Sequence, residues 1–222
     1  VPLHKRLARH MVKNYRAVHL TSHVSKVVER LIGMCLEGYV ARSCLYGPRQ
    51  WAYQKRKGSR DTLAYLVARW LLLMCQHRKI ALYCSDVAGA FDRVKVERLV
   101  AKLTAKGIHP QLVEVLASWL QKRQARVVVG GCASRAMSLS DMVFQGTVLG
   151  TVLWNLFYAD VDQPCQRAGF EETVFADDLN AFKDAPASAS NEALMDDVGV
   201  CQEEVHAWGD ANGVTFEGTK ES

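Results

Sequence analysis

Two adjacent carboxylates, Asp177 and Asp178, lie between two apolar stretches of this 222-residue chain, and a third, Asp86, closes the apolar run from Ile80 to Cys84. Adjacent carboxylates at a turn repel each other, which raises a pKa unless a cation sits there. A strand end and a hairpin turn can bring three such groups together. Hard divalent cations take oxygen ligands, and two of them can clamp the attacking and leaving oxygens of an in-line phosphoryl displacement. The pair alone leaves a second reading open, because Asp pairs also occur in exposed turns.

Positioning these acids requires an ordered scaffold, and the sequence outlines one. Val24, Val27, Val28, Leu31, Ile32, Cys35, Leu36 and Tyr39 recur at three and four residues, which predicts an amphipathic helix capped by Ser22. Residues 61–77 read as a second helix, apolar along Leu63, Leu66, Val67, Trp70, Leu71 and Met74. Residues 80–84 form a buried strand ending at Ser85-Asp86. Helices follow over 94–103 and 110–120, the second opened by Pro110. Strands over 125–129 and 133–139 flank Gly130-Gly131, and an apolar helix covers 146–162. Residues 172–176 and 179–182 flank Asp177-Asp178 as a hairpin with an acidic turn. A helix from 191 to 211 and a last strand at 214–216 complete the chain. Residues 185–190 read as a linker or as a loop capping that helix. Strands and helices without regular βαβ alternation give an α+β layer fold.

Composition narrows the class. The chain is 49% hydrophobic and 23% charged, which excludes disorder and collagen-like repeats. The longest apolar run near Trp70 is six residues, far short of the ~20 that span a bilayer, so no membrane partner is expected. The seven cysteines are scattered with no Cys-x-x-Cys pair, which argues against a zinc knuckle and for a reducing, intracellular setting. Net charge is +5, but residues 1–79 hold 16 basic and 3 acidic residues, against 12 basic and 20 acidic thereafter. Such asymmetry suggests two surfaces with different partners, the basic one suited to phosphates.

Asp86-Val87-Ala88-Gly89-Ala90-Phe91-Asp92, Gln145-Gly146-Thr147-Val148-Leu149-Gly150 and Phe175-Ala176-Asp177-Asp178 stand in this order along the chain. They resemble, in turn, the first palm motif, the Gln-Gly-Ser-Val-Leu-Gly motif and the aromatic-Ala-Asp-Asp box of the reverse transcriptase domain of non-LTR (LINE-type) retrotransposons. Weaker blocks agree: Asn14 to Val18 with Ser25 to Glu29 resembles the fingers sequence, Gln124-x-x-Val127-x-Val129 an inter-motif strand, and Phe216-x-x-x-Lys220 the fourth palm motif. Any single box is a weak signal, and the ordered set is strong. Departures occur at Phe144 and Thr151, where relatives carry Pro, at Ala17, and at Ala52-Tyr53-Gln54 in place of a Gly-Phe-Arg-like string.

The resemblance implies a right-hand polymerase fold, with fingers mainly over residues 1–79 and palm mainly over 80–222, residues 105–140 being inserted between palm motifs. An antiparallel palm sheet would pack on helices. No thumb is visible, so an incomplete domain is expected. By similarity, Asp86, Asp177 and Asp178 would bind two Mg²⁺ ions, with Mn²⁺ as an alternative, and Lys220 would protonate the leaving pyrophosphate. Lys5, Arg16, Phe91, Gln145 and Gly146 would contact the incoming deoxynucleoside triphosphate (dNTP), Phe91 as a gate against the ribose 2′-hydroxyl. Lys55, Arg56, Lys57 and Arg60 would follow the template backbone. Asp92 is an alternative carboxylate, read first as a cap for the helix that follows. The implied partners are an RNA template, a DNA primer and dNTPs, in a nuclear setting. A group II intron-like enzyme and a non-catalytic nucleic-acid-binding remnant remain open. A phosphatase of the haloacid-dehalogenase type is disfavoured, since it needs a second Asp at position 88, which is Ala.

Overall fold

The computed structural model describes residues 1–5, 8–11, 14–218 and 221. In chain order its elements are β1 (Pro2–His4), β2 (Tyr15–Ala17), α1 (His23–Arg42), α2 (Ser59–Cys75), β3 (Arg78–Asp86), α3 (Val96–Ala105), α4 (Pro110–Leu120), β4 (Arg123–Ala125), β5 (Val128–Val129), β6 (Cys132–Ala133), β7 (Met137–Leu139), α5 (Val148–Tyr158), α6 (Asp162–Arg167), β8 (Glu171–Phe175), β9 (Asp178–Pro186) and α7 (Asn191–Asn212). The chain divides into two compact units, one of residues 1–43 and 91–156, the other of 44–90 and 157–222.

In the first unit, β1 and β2 form an antiparallel hairpin. Ser22 caps α1 as expected, its Oγ accepting from the Ser25 amide at 3.1 Å. The predicted buried stripe of α1 is corrected. Of that stripe Leu36 is buried, together with Glu29, Gly33 and Val40, which lay outside it, while Val24, Val27, Val28 and Leu31 are exposed. The helix is apolar around much of its circumference, so periodicity does not choose the face. Close packing does: Gly33 lies against Val148 and Leu149 of α5, and Glu29 reaches the first amide of α5. The two strands predicted over 125–139 are four short ones. β4 pairs with β7 and β5 with β6. Between them the Ser134 hydroxyl accepts from the Val127 amide at 3.0 Å, so a side chain replaces one rung of the ladder.

The second unit is built on the antiparallel sheet β3-β9-β8. α2 packs on β3 and β8, with Leu66, Leu73 and Phe182 buried together and Trp70 and Ile80 against them. Again the exposed residues of the helix, Leu63, Leu71 and Met74, belonged to the predicted buried line. α7, capped by Ser190, packs on β3 and α6. The predicted helix over 146–162 breaks at Tyr158 into a 3₁₀ turn and then α6. The predicted last strand is reduced to a single bridge, Phe216 to Val87.

Ion pairs in this unit join the basic and acidic parts of the sequence. Arg49 binds Glu172, Arg69 binds Glu171 and Arg78 binds Asp184.

Candidate active site

Nine paired residues run along β3 and β9, and the last pair is Asp86 opposite Asp178. Directly opposed residues of antiparallel strands stand about 4.5–5.5 Å apart at Cα and send side chains to the same face. β8 and β9 are joined by the two-residue turn Ala176-Asp177, closed by the pair Phe175–Asp178. The predicted turn pair is therefore divided: Asp177 is in the turn, and Asp178 is the first residue of β9. Ala176 has φ +60°, the left-handed region that a two-residue hairpin of type II′ demands at its first position and that normally selects glycine.

Three carboxylates thus share one end of one sheet. The Tyr158 hydroxyl records that placement: burial, first, pushes it far above its ordinary value, and Cys165, Asp177, Tyr83 and Asp86 add to the rise. The strand end is braced on its other side. The Ala88 amide donates to the Thr215 carbonyl and the Glu217 amide to the Asp86 carbonyl, at 2.9 and 2.8 Å. Beyond it, Glu221 accepts from Tyr83 at 2.8 Å and Gln202 at 3.0 Å, and meets His206 at 2.7 Å. Hard carboxylate oxygens at adjoining strand ends are a donor set that suits Mg²⁺ or Mn²⁺ chemically. Among the described residues, no three His, Cys, Asp or Glu side chains close into a metal cluster as they stand.

Gln50, which carried no signal in the sequence beyond a basic, turn-rich segment, is buried against the acidic turn. Its Oε1 accepts from the Ala176 amide at 3.1 Å and its Nε2 donates to the Ala176 carbonyl at 3.3 Å. Residues 49–51 lie parallel to β8, with backbone bonds Trp51 to Val174 and Val174 to Arg49. Arg49 adds bonds to the Glu172 carbonyl at 2.7 Å and carboxylate at 3.0 Å. Burial holds the Glu172 carboxyl above the ordinary carboxylate range despite Arg49. Lys55, Arg56, Lys57 and Arg60, also in this unit, are exposed, and the Lys57 ammonium sits 5.2 Å from the Trp51 ring centre.

The first unit holds the remaining described candidates. Phe91 is buried, its ring 5.6 Å from that of Trp154. Asp92 lies in a 3₁₀ turn and is exposed. α3 starts after Lys95, three residues later, with no side-chain cap, so the capping role expected of Asp92 is corrected. The Gln145 carbonyl accepts from the His19 amide at 2.9 Å. Gly146 has φ +93°, and a Cβ there would meet Val18 Cγ1 at 2.9 Å and the His19 carbonyl at 3.2 Å, so only glycine fits. The Thr147 hydroxyl and the Glu29 carboxyl then cap the start of α5.

Lys5 and Arg16 are exposed on the β1–β2 hairpin. Arg16 opposes Leu3, and the Lys5 amide continues the ladder to Asn14, so both side chains share one face as diagonal neighbours. The opposite face, with Pro2, Tyr15 and Ala17, lines an open groove of about 1190 Å³, which also takes Arg9, Arg123 and Arg126. Lys220 lies outside the described residues.

A model of the family described as reverse transcriptase (RNA-dependent DNA polymerase) matches residues 4–221. The chain belongs to the reverse transcriptase family. The RNA-directed DNA polymerase from mobile element jockey of Drosophila funebris is 28% identical over 207 residues, which is 89% of this chain and 22% of that protein. The probable RNA-directed DNA polymerase from transposon BS of Drosophila melanogaster is 29% identical over 157 residues, 70% of this chain and 17% of that protein. These mobile-element relatives bear out the LINE-type resemblance of the motif set. The reverse transcriptase chain spans about a fifth of their length. Among solved structures, apo telomerase from Candida tropicalis matches with TM-score 0.58 and 12% identity over 88% of this chain and 39% of that one. Telomerase from Candida albicans with a fragment of telomeric RNA gives 0.56 and 12% over 90% and 33%. At that identity the likeness shows the fold, the fingers–palm α+β architecture of reverse transcriptases.

Proposed function

We propose that the chain is the fingers–palm part of an RNA-directed DNA polymerase that extends a DNA primer on an RNA template. The observation that carries this reading is the register of the central sheet, which pairs Asp86 with Asp178 and puts Asp177 in the adjoining turn. In the reaction, the primer 3′-oxygen forms a bond to the α-phosphorus of a dNTP. The bond from that phosphorus to the bridging oxygen breaks, its electron pair leaves with pyrophosphate, and the hydroxyl proton passes to solvent water. Two Mg²⁺ ions, held by Asp86, Asp177 and Asp178, would supply Lewis acidity at the entering and leaving oxygens.

The remaining residues of the chain would position and neutralise charge, as phosphoryl transfer requires. Lys5 and Arg16 offer point and forked donors to the triphosphate from one face of their hairpin. Phe91, backed by Trp154, would exclude a ribose 2′-hydroxyl, and Gln145 and Gly146 would lie against the nascent pair. Lys55, Arg56, Lys57 and Arg60 would follow the template backbone, and Lys220 would protonate pyrophosphate. In these terms the fingers are mainly residues 1–79 and the palm mainly 80–222.

Primer extension on an RNA template in Mg²⁺, with Asp177→Ala alongside, tests the reading. Incorporation by the wild type and loss of at least a hundredfold in the variant is the expected result. Equal incorporation by both overturns the assignment of Asp177. Salt-sensitive binding of primer–template with no incorporation in Mg²⁺ or Mn²⁺ replaces the catalytic reading with that of a binding remnant.

A further inference from the structure

We infer that Gln50 is a positioning residue for the acidic turn, fixing Asp177 through the backbone of Ala176. This rests on the polymerase reading for what Asp177 does, but not for where Asp177 is held. Four observations converge on it. Gln50 is 4% exposed, so its amide faces no competing water. That amide grips both polar groups of one residue, accepting from the Ala176 amide at 3.1 Å and donating to the Ala176 carbonyl at 3.3 Å. The gripped residue is the one with φ +60°, a conformation a non-glycine residue keeps only where its surroundings determine it. The residue immediately after it is Asp177.

The grip is itself fixed. Gln50 Oε1 also accepts from the Ala52 amide at 3.0 Å. Its own segment is tied to β8 by the Trp51–Val174 and Val174–Arg49 bonds, and Arg49 is tied to Glu172. The turn carrying Asp177 is thus referred to β8 twice, once through the hairpin and once through Gln50. A side chain must donate and accept side by side to do this, and among uncharged side chains of this length only glutamine does. Glutamate would keep the acceptor and lose the donor. Methionine would keep the size and lose both.

The test uses the full chain as wild type, Gln50→Met, Gln50→Glu, Ala176→Gly and Gln50→Met/Ala176→Gly. Three quantities are read: amide hydrogen exchange at Ala176 and Asp177 by NMR, the Mn²⁺ binding midpoint by electron paramagnetic resonance, and kcat and dNTP KM in primer extension. Gln50→Met is expected to speed exchange at the two turn amides at least tenfold, with exchange in the middle of α7 unchanged. It should raise the Mn²⁺ midpoint severalfold and lower kcat tenfold or more, with KM within about twofold. Gln50→Glu should fall between Gln50→Met and wild type. In the Ala176→Gly background, where the left-handed turn carries no strain, Gln50→Met should change the Mn²⁺ midpoint less. Turn exchange and Mn²⁺ midpoint within twofold of wild type in both Gln50→Met and Gln50→Glu overturn the inference. If Gln50→Met does not fold, Gln50→Glu decides by the same two readings. A wild type that incorporates nothing, while exchange and Mn²⁺ midpoint still respond to Gln50, refutes the polymerase reading and upholds the positioning role.

Discussion

Glu29 offers the sharpest test of how the first unit holds the loop around Gly146. Its side chain is fully buried on α1. Oε2 accepts from the Val148 amide at 2.9 Å, the first amide of α5, and Oε1 accepts from the Ser25 hydroxyl at 3.1 Å. Glu29→Ala leaves a part-buried amide without its acceptor, at about 1–3 kcal/mol. It also removes an acidic group from a helix N-terminus, at about 0.3–1 kcal/mol. Together these come to about 3 kcal/mol. In a chain of this size 1 kcal/mol moves Tm by about 2–4 °C, so Glu29→Ala should lower it by about 6–12 °C. Glu29→Gln keeps the size and an accepting oxygen, losing mainly the charge, and should cost about 1 kcal/mol, or about 2–4 °C. Thermal unfolding followed by tryptophan fluorescence checks both, since Trp119 and Trp154 belong to the same unit. The difference between the variants should persist in high salt, because the carboxyl is buried. Equal losses for Ala and Gln, or losses below 1 °C for both, refute the reasoning that this carboxyl caps α5.

The other predictions concern single features of the structure. Gly146→Ala must adopt a left-handed φ and push Val18 aside, so denaturation should show a loss of about 2 kcal/mol or more, with primer extension falling alongside. For Glu171, burial pushes the carboxyl up, but hydrogen bonds from Tyr65 and Arg69 outweigh it and hold the group below its ordinary range. A lowered folded value stabilises above the ordinary carboxylate pKa of about 4.3, and that stability is lost as pH falls through the folded value. The pH dependence of Tm in the acid range should therefore be shallower in Arg69→Met than in wild type. Replacing Lys55, Arg56, Lys57 and Arg60 together with Ala should flatten the salt dependence of RNA binding. The log–log slope should fall by about 0.7 for each single-strand phosphate that these side chains neutralise in the wild type.

How much of this was legible depended on which physics decided each element. The order of carboxylates, glycines and aromatic residues outlined the fold because each block sits at a strand end or turn that tolerates few residue types. Asp86 ends β3, and Asp177 follows the strained turn residue. Register was out of reach: nothing local says that Asp86 pairs with Asp178, since that follows from nine rungs of β3 and β9. The faces of α1 and α2 were misjudged because both helices are apolar nearly all round, and the choice fell to partners distant in sequence, such as Val148 for Glu29. Gln50 was missed for a similar reason. Its partner lies 126 residues away, and a glutamine in a basic loop carries no pattern.

The charge asymmetry takes on a different meaning in the folded chain. A run with 16 basic and 3 acidic residues followed by an acidic remainder invites a picture of two surfaces for two partners. Yet Arg49, Arg69 and Arg78 from the basic run close on Glu172, Glu171 and Asp184 across the β8–β9 sheet. Part of the asymmetry is therefore consumed inside one unit. For Arg49 and Glu172 it is consumed where the carboxyl is buried and an unpaired charge would be costly. Exposed pairs such as Arg78 with Asp184 add little stability, about 0–1 kcal/mol. What they do is neutralise acids near the sheet that carries Asp86, Asp177 and Asp178. Lys55, Arg56, Lys57 and Arg60 and, on the β1–β2 hairpin, Lys5 and Arg16 are exposed cations of the same run, and they are the ones the polymerase reading assigns to template and triphosphate. An acid-neutralising role for Arg69 and Arg78 also separates them from residues 55–60 by experiment. Substitution of Arg69, whose partner Glu171 is held low, should change the pH profile of stability, and substitution of either arginine should leave the salt slope of RNA binding within about 0.3 of wild type, less than half of what neutralising one single-strand phosphate is worth. A fall in slope of about 0.7 in either variant would return these arginines to the nucleic-acid surface.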